Sequence, residues 1–409
     1  MEIKRLVALA LVVSIATLSI GCGNYGDNSD NILEKQQFAL SYFKALGEKE
    51  ETVVSPLLAM VTIGELSGVV NSAVRDKSLA LVDSKKDTSS LNILCGKILS
   101  ELQIDDTDSS TSNPSSEETA SVYGEQYTTS NNIDYNSKFI VKLEDEEKTD
   151  GFSSAYISNL SNLYHGSVNS YSSLEQYNTL SEMMGSYNDF SDWHPYNEED
   201  ISLINKLTYI NKCTESGVAL KPCNIETESK GEIRGIVASD IVSCTKSDMS
   251  FSCKIASGDT GISLVLMMPA DENMTLTDYI SNMTLEEFNG LTYEYWYDPW
   301  CKDTDGYNFS CAFPELSSYS VLKDTNTYEK LGLGSLFNAE LLLDDSNSNN
   351  KLHNIVQYTG IEVKASSEVK VKDNEYNKDR TMIFDRPFIY ALIEDEYNYP
   401  LIMGRVDKV

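Results

Sequence analysis

The sequence predicts an α+β protein, and three observations carry that prediction. Helical periodicity concentrates in roughly the first hundred residues. Strand-like runs dominate after residue 200. Neither βαβ alternation nor an internal repeat interrupts that order. Apolar residues make up 41% of the chain, enough for a substantial core, so wholly disordered behaviour is excluded. A length of 409 residues allows two or three ordinary domains or one unusually large one. Asp and Glu number 63 against 32 Lys and Arg, a formal charge of -31. That balance argues against binding nucleic acid, which needs clustered bases, and against broad contact with an anionic membrane.

The N-terminus reads as an export signal. Lys4 and Arg5 precede an apolar stretch from Leu6 to Ala16, and Thr17-Leu18-Ser19-Ile20-Gly21-Cys22 closes it. The stretch is short for a membrane-spanning helix, which needs about 18 apolar residues or more. The Gly21-Cys22 ending resembles a bacterial lipoprotein signal in which Cys22 becomes the lipidated first residue, although Ser19 stands where an aliphatic residue is usual. A plain secretory signal is the alternative. The expected organisation is a signal over 1–22, a polar tether over 23–31 and folded structure over 32–409.

Helix then strand follows along the chain. Asn31–Gly47 has amphipathic spacing through Leu33, Phe38, Leu40, Phe43 and Leu46. Thr52-Val53-Val54 is a short strand. Ser55-Pro56 supplies a cap and a first-turn proline for a helix to about Val69. Ser78–Leu102 reads as helical, Asp105–Thr119 as an acidic, serine-rich loop, Ala120–Tyr127 as a strand and Tyr156–Tyr164 as a helix. Ile201–Ile210 is strand-like, and Gly231–Met268 holds several β-runs. Thr275–Leu291 is predicted helical, and the tail ends in strands at Phe388–Glu394 and Leu401–Val406.

Eight cysteines remain to be placed. Without Cys22, six fall into local pairs: Cys213 with Cys223, Cys244 with Cys253, and Cys301 with Cys311. In an oxidising compartment such intervals suit disulfides that staple loops or hairpins. Metal binding is the alternative, but the tight spacing of zinc pairs is missing and the only histidines are His165, His194 and His353. Cys95 is left over as a buried thiol. No nucleophile elbow, HExxH, phosphate loop or dinucleotide fingerprint is present, and carboxylate pairs carry no signal in so acidic a chain.

The C-terminus is more specific. Phe384-Asp385-Arg386-Pro387-Phe388, then a strand, then Pro400-Leu401-Ile402-Met403-Gly404-Arg405-Val406 resembles the C-terminal signature of the serpins. Other segments agree in the family's order. Phe38-Ala39-Leu40 with Tyr42-Phe43 resembles its first helix, and Val53-Val54-Ser55-Pro56-Leu57 its shutter. Ala120–Gly124 and Leu203–Tyr209 are similar to its second and third main-sheet strands. Ile262–Pro269, Phe313-Pro314-Glu315 and Leu331–Phe337 match later segments. The resemblance covers 32–408. Departures are Leu58 in place of a second shutter serine, a missing tryptophan after the third strand, and no usual long helix within 170–200.

The resemblance implies one large mixed sheet with surrounding helices and an exposed reactive loop. It implies no catalytic residue, no cofactor and no metal. It implies a monomer whose partner is a serine or cysteine protease that cleaves the loop, after which the loop enters the sheet. A non-inhibitory binding or structural protein of the cell envelope is the alternative. Ser55, Asn205 and His353 are the implied shutter residues. The family's scissile residue lies about eight places before the aromatic that opens the Phe384 block, which gives Tyr376 and cleavage before Asn377. Counting about 24 forward from His353 gives Asn377. A third alignment, on Glu362-Val363, leaves the loop about five residues short. Val363, Ala365, Ser367, Val369 and Val371 alternate with polar residues and form the expected inserting face. Against fast insertion, the hinge lacks glycine and an alanine-rich run.

Overall fold

In the computed structural model the described residues are 29–47, 50–102, 120–122, 125–127, 129–143, 150–173, 201–213, 220–227, 230–239, 242–256, 261–292, 310–323, 325–337, 339–343, 351–365 and 381–409. Helix α1 (Ser29–Leu46) leads into β1 (Val53–Val54) and α2 (Pro56–Ser67). The Ser55 hydroxyl accepts from the Leu58 amide at 3.1 Å and so caps α2. All twelve residues of α2 are buried, which fits a helix apolar on every side.

The predicted helix over 78–102 is two helices. They are α3 (Ser72–Leu79), capped by Asn71, and α4 (Thr88–Glu101), capped by Asp87. Asp83 in the intervening turn accepts the Lys85 amide at 2.8 Å, and that local bond competes with helix. A small ribbon follows, β2 (Ala120–Val122) against β3 (Glu125–Tyr127), then β4 (Thr129–Lys142), α5 (Ser154–Tyr164), β5 (Gly166–Tyr171) and β6 (Ile201–Cys213). The strand beside β6 is β4, so the second main-sheet strand is not Ala120–Gly124, as the resemblance had it. The Asn131-Asn132 pair inside β4 masks it in the sequence, because Asn favours turns.

The remaining elements are β7 (Leu220–Thr227), β8 (Gly231–Ser239), β9 (Val242–Lys246), β10 (Ser250–Ala256), β11 (Ile262–Pro269), α6 (Leu276–Asn282) and α7 (Leu285–Thr292). Then come β12 (Ser310–Pro314), β13 (Leu316–Leu322), α8 (Thr325–Lys330), β14 (Leu352–Ala365), β15 (Thr381–Ile383), β16 (Phe388–Glu394) and β17 (Tyr399–Val406). The single helix expected over 275–291 breaks at Met283, whose ψ of 124 is extended, and the Thr284 hydroxyl caps the second piece by accepting the Glu287 amide at 3.0 Å.

Three larger sheets share one core among the described residues. A six-stranded sheet runs β1-β17-β16-β11-β10-β9, and a four-stranded sheet runs β15-β12-β8-β7. The five-stranded sheet runs β13-β14-β6-β4-β5. In it β14 and β6 are parallel, in register from Leu352↔Ile201 to Ala365↔Cys213, while β13–β14 and β4–β6 are antiparallel. Strands β16 and β17 are buried almost throughout. No described helix is long and apolar enough to cross a membrane.

Candidate functional site

The site is the parallel seam between β14 and β6, with the polar cluster beneath it and the chain that leaves its end. Two parallel strands that are neighbours in space but not joined by a short connection can accept a third strand between them. An entering strand antiparallel to both would replace one slanted parallel ladder by two antiparallel ones, which are slightly more stable per residue.

Beneath the seam, α2 presents Thr62 and Glu65 to the sheet. The Thr62 hydroxyl donates to the Leu58 carbonyl at 2.8 Å. It also accepts from Asn205 Nδ2 of β6 at 2.9 Å and from Gln357 Nε2 of β14 at 3.0 Å, so one oxygen holds both sides of the seam. The Tyr42 hydroxyl donates to Gln357 Oε1 at 2.8 Å. Asn205 Nδ2 also donates to Glu65 Oε2 at 3.1 Å, and the Ser137 hydroxyl of β4 donates to Glu65 Oε1. Burial pushes the Glu65 carboxyl up to about 8, against the pull of these two hydrogen bonds.

The expected shutter residues are placed as follows. Ser55 caps α2 and its hydroxyl donates to the Leu401 carbonyl at 2.6 Å. Asn205 lies at the centre of the cluster. His353 does not belong to it. Gln357 is the residue in register with Asn205, and His353 sits four places earlier, at the β-bulge between Leu352 and Asn354. Counting about 24 from Gln357 instead of His353 reaches Thr381, five residues beyond Tyr376, so that count no longer agrees with the count back from Phe384. Sequence reasoning missed Thr62, Glu65, Ser137 and Gln357. The available signal was Thr62 and Glu65 in the middle of a mostly apolar helix.

Of the expected inserting face, Val363 and Ala365 are already buried in β14, paired with β6, and Val363 is also opposite Leu316 of β13. They belong to the fixed strand, because the alternation in sequence starts before the loop does. Ser367, Val369, Val371, Tyr376 and Asn377 lie outside the described residues, as do Cys22 and Cys301. The end of β14 is held by Glu315, whose Oε1 accepts the Ala365 amide at 3.1 Å and pairs with Arg234 Nε at 2.9 Å.

Cys95, Cys213, Cys223, Cys244, Cys253 and Cys311 are buried thiols. Cys244 and Cys253 face each other across the β9–β10 hairpin, with sulfurs 2.9 Å apart. Burial lifts the Cys213 thiol to about 11 and that of Cys223 to about 12. Cys311, expected to partner Cys301, lies against Cys253. Among the described residues no cluster of His, Cys, Asp and Glu is arranged to hold a metal. A concavity of about 270 Å³ near the C-terminus is lined by Arg386 and Arg405, but these already pair with Glu272 and Asp407.

Comparison with known proteins follows this geometry. Residues 237–409 match the family model described as serpin, serine protease inhibitor. The solved structure of tengpin, a thermophilic serpin in its native state, superposes with a TM-score of 0.68 over 97% of this chain and 98% of that one, at 16% identity. The chain has the fold of the serpins. Two other serpin folds compare similarly. SRPN18 from Anopheles gambiae gives a TM-score of 0.65 at 12% identity, covering 93% of this chain and 98% of that one. Native protease nexin-1 with heparin gives 0.65 at 11%, covering 93% and 100%. No curated protein matches the chain. In this chain the polar cluster beneath the seam is built from Thr62, Glu65 and Gln357 around Asn205.

Proposed function

We propose that this serpin inhibits a serine or cysteine protease by strand insertion. The protease cleaves the segment between β14 and β15, and the freed N-terminal part enters the seam with the protease still acyl-linked. The observation that carries this reading is the closed parallel β14–β6 pair, whose end at Ala365 leads directly into residues 366–380. Tyr376 as the scissile residue would suit a protease with a hydrophobic specificity pocket. Incubation with a panel of serine and cysteine proteases is expected to yield an adduct stable in detergent. Cleaved chain with no adduct from any of them would overturn the reading.

One observation favours the second reading, a serpin fold without the trap. In the Tyr376 register, though not in the one counted from Gln357, cleavage frees only residues 366–376, eleven residues that span about 36 Å as a strand. The seam is lined by the 13 residues of β6, about 43 Å. The freed strand therefore stops short of the far end, and dragging a protease the full length requires complete travel. Melting before and after cleavage separates the readings. A large rise in Tm without an adduct marks insertion that is too short or slow to trap, and an unchanged Tm marks no insertion.

Export through residues 1–22, lipidation at Cys22 and disulfides Cys213–Cys223, Cys244–Cys253 and Cys301–Cys311 belong to the same proposal. Mass spectrometry of non-reduced peptides from the exported protein tests all of them together. An unmodified Cys22 peptide with free thiols throughout would refute them.

A further inference from the structure

Opening the seam requires β6 to move away from β14 by about one strand spacing, ~4.8 Å. The β4–β6 and β4–β5 ladders are unbroken, so β6, β4 and β5 move as one half. Helix α2 is bonded to that half by side chains at two points, Thr62 to Asn205 and Glu65 to both Asn205 and Ser137. Ser137 and Asn205 are themselves register partners across the β4–β6 ladder. Glu65 therefore grips a cross-strand pair on the half that moves, and its grip does not reach β14.

We propose that Glu65 is a proton-controlled clasp on the movable half of the sheet: the closed, water-excluding sheet holds Glu65 as the neutral acid, and its ionisation favours moving β4 and β6 away from α2. Glu65 is 1% exposed, and both of its oxygens already accept a neutral donor. Asn205 Oδ1 beside it is buried without a partner. A carboxylate there would be a buried charge with no cation paired to it among the described residues, and such a charge is costly. Moving the sheet half away and admitting water would relieve that cost.

The surrounding groups leave Glu65 as the group that responds. From β4 comes Tyr135, from α4 Cys95, and from α5 Tyr156 and Tyr164, and burial pushes all four upward, so they stay neutral. The Tyr156 hydroxyl donates to the Glu65 backbone carbonyl at 2.8 Å. From α1 come Tyr42, also pushed upward by burial, and Lys35, which is 3.5 Å from Asp83. From β17 comes Tyr399, likewise raised. On α3, Arg75 pairs with Asp76, and Lys77 is exposed. β6 offers the uncharged Asn205.

The clasp takes its purpose from the insertion reading, but its chemistry needs only the closed sheet. The test therefore uses the intact protein with no protease. Amide hydrogen exchange in β4 and β6 is measured from pH 5 to pH 8.5 and corrected for intrinsic chemical rate. Protection is expected to fall by up to about tenfold per pH unit between about 4.5 and 8 in the natural chain, and to stay level in Glu65→Gln. Equal slopes in the two chains would overturn the proposal. Should Glu65→Gln fail to fold, a carbon-13 carboxyl titration of the Glu394→Gln chain decides instead. One glutamate with a midpoint near 8 is expected. Midpoints all near 4.5 would overturn it. Inhibition could fail with the clasp intact, and the clasp could fail with inhibition intact, so the two outcomes are distinguishable.

Discussion

Thr62 carries more than a threonine usually does, because its hydroxyl accepts from both flanks of the seam and donates to its own helix. Thr62→Val keeps the shape and removes the oxygen. It leaves amide hydrogens of Asn205 and Gln357 buried without acceptors, at about 1–3 kcal/mol for each group. The urea midpoint is expected to drop accordingly with the slope unchanged, and an unchanged midpoint would refute the dual role. Ser55→Ala removes the cap of α2 together with the bond to Leu401, and is expected to cost about 1–2 kcal/mol by the same measurement. Ser55 was legible in the sequence because Ser-Pro before an apolar run has a local meaning. Glu65 and Gln357 were not. Their roles depend on which strand lies opposite, and counting from a histidine could not show that Gln357, four residues after His353, is the one opposite Asn205.

At the scale of elements, the strands buried on both faces were the legible ones. Ile262–Pro269 and Phe388–Glu394 are near-continuous apolar runs and became β11 and β16. Elements broken by a side chain bonding locally were not, as the splits near Asp83 and at Met283 illustrate. The end of β14 is an element boundary fixed by one carboxylate. Glu315→Ala frees the Ala365 amide, and its hydrogen exchange is expected to quicken about tenfold while β17 amides keep their rates. Equal protection at Ala365 in both chains would refute Glu315 as the latch. In the six-stranded sheet, Gly404 is the register partner of Tyr390, and a Cβ there would lie 2.2 Å from the Tyr390 hydroxyl oxygen. Gly404→Ala is therefore expected to destabilise by about 1–3 kcal/mol in the same urea assay.

Across the whole molecule, the charge of -31 sets the response to pH and salt. Among the described residues, two buried glutamates have carboxyls shifted upward. Burial raises Glu65 to about 8 and Glu394 to about 7, the latter against hydrogen bonds from the Glu396 and Tyr397 amides. The unfolded chain releases these protons near 4.5 and the folded chain holds them longer. Their contribution is therefore complete below about 4.5 and is lost as pH rises through 7 and 8. Tm is expected to be higher at pH 5.5 than at pH 8.5, and a Tm that rises across this interval would contradict the assignment. Added salt is expected to raise Tm at pH 8.5, because it screens repulsion among 63 acids.

The β1–β17 pairing constrains how the protein can be made. Val53 lies in register with Gly404, and the Arg405 amide donates to the Thr52 carbonyl at 3.0 Å, so the first described strand waits for the last. Ser55 waits likewise for Leu401. During synthesis or passage across a membrane, α2 has no six-stranded sheet to dock on until the final dozen residues emerge. Contacts at such sequence separation form slowly, and the unfinished chain exposes apolar surface meanwhile. The family's C-terminal signature is thus also the closing stitch, and a chain ending before Tyr399 would lack the strand on which its own N-terminal third is hung.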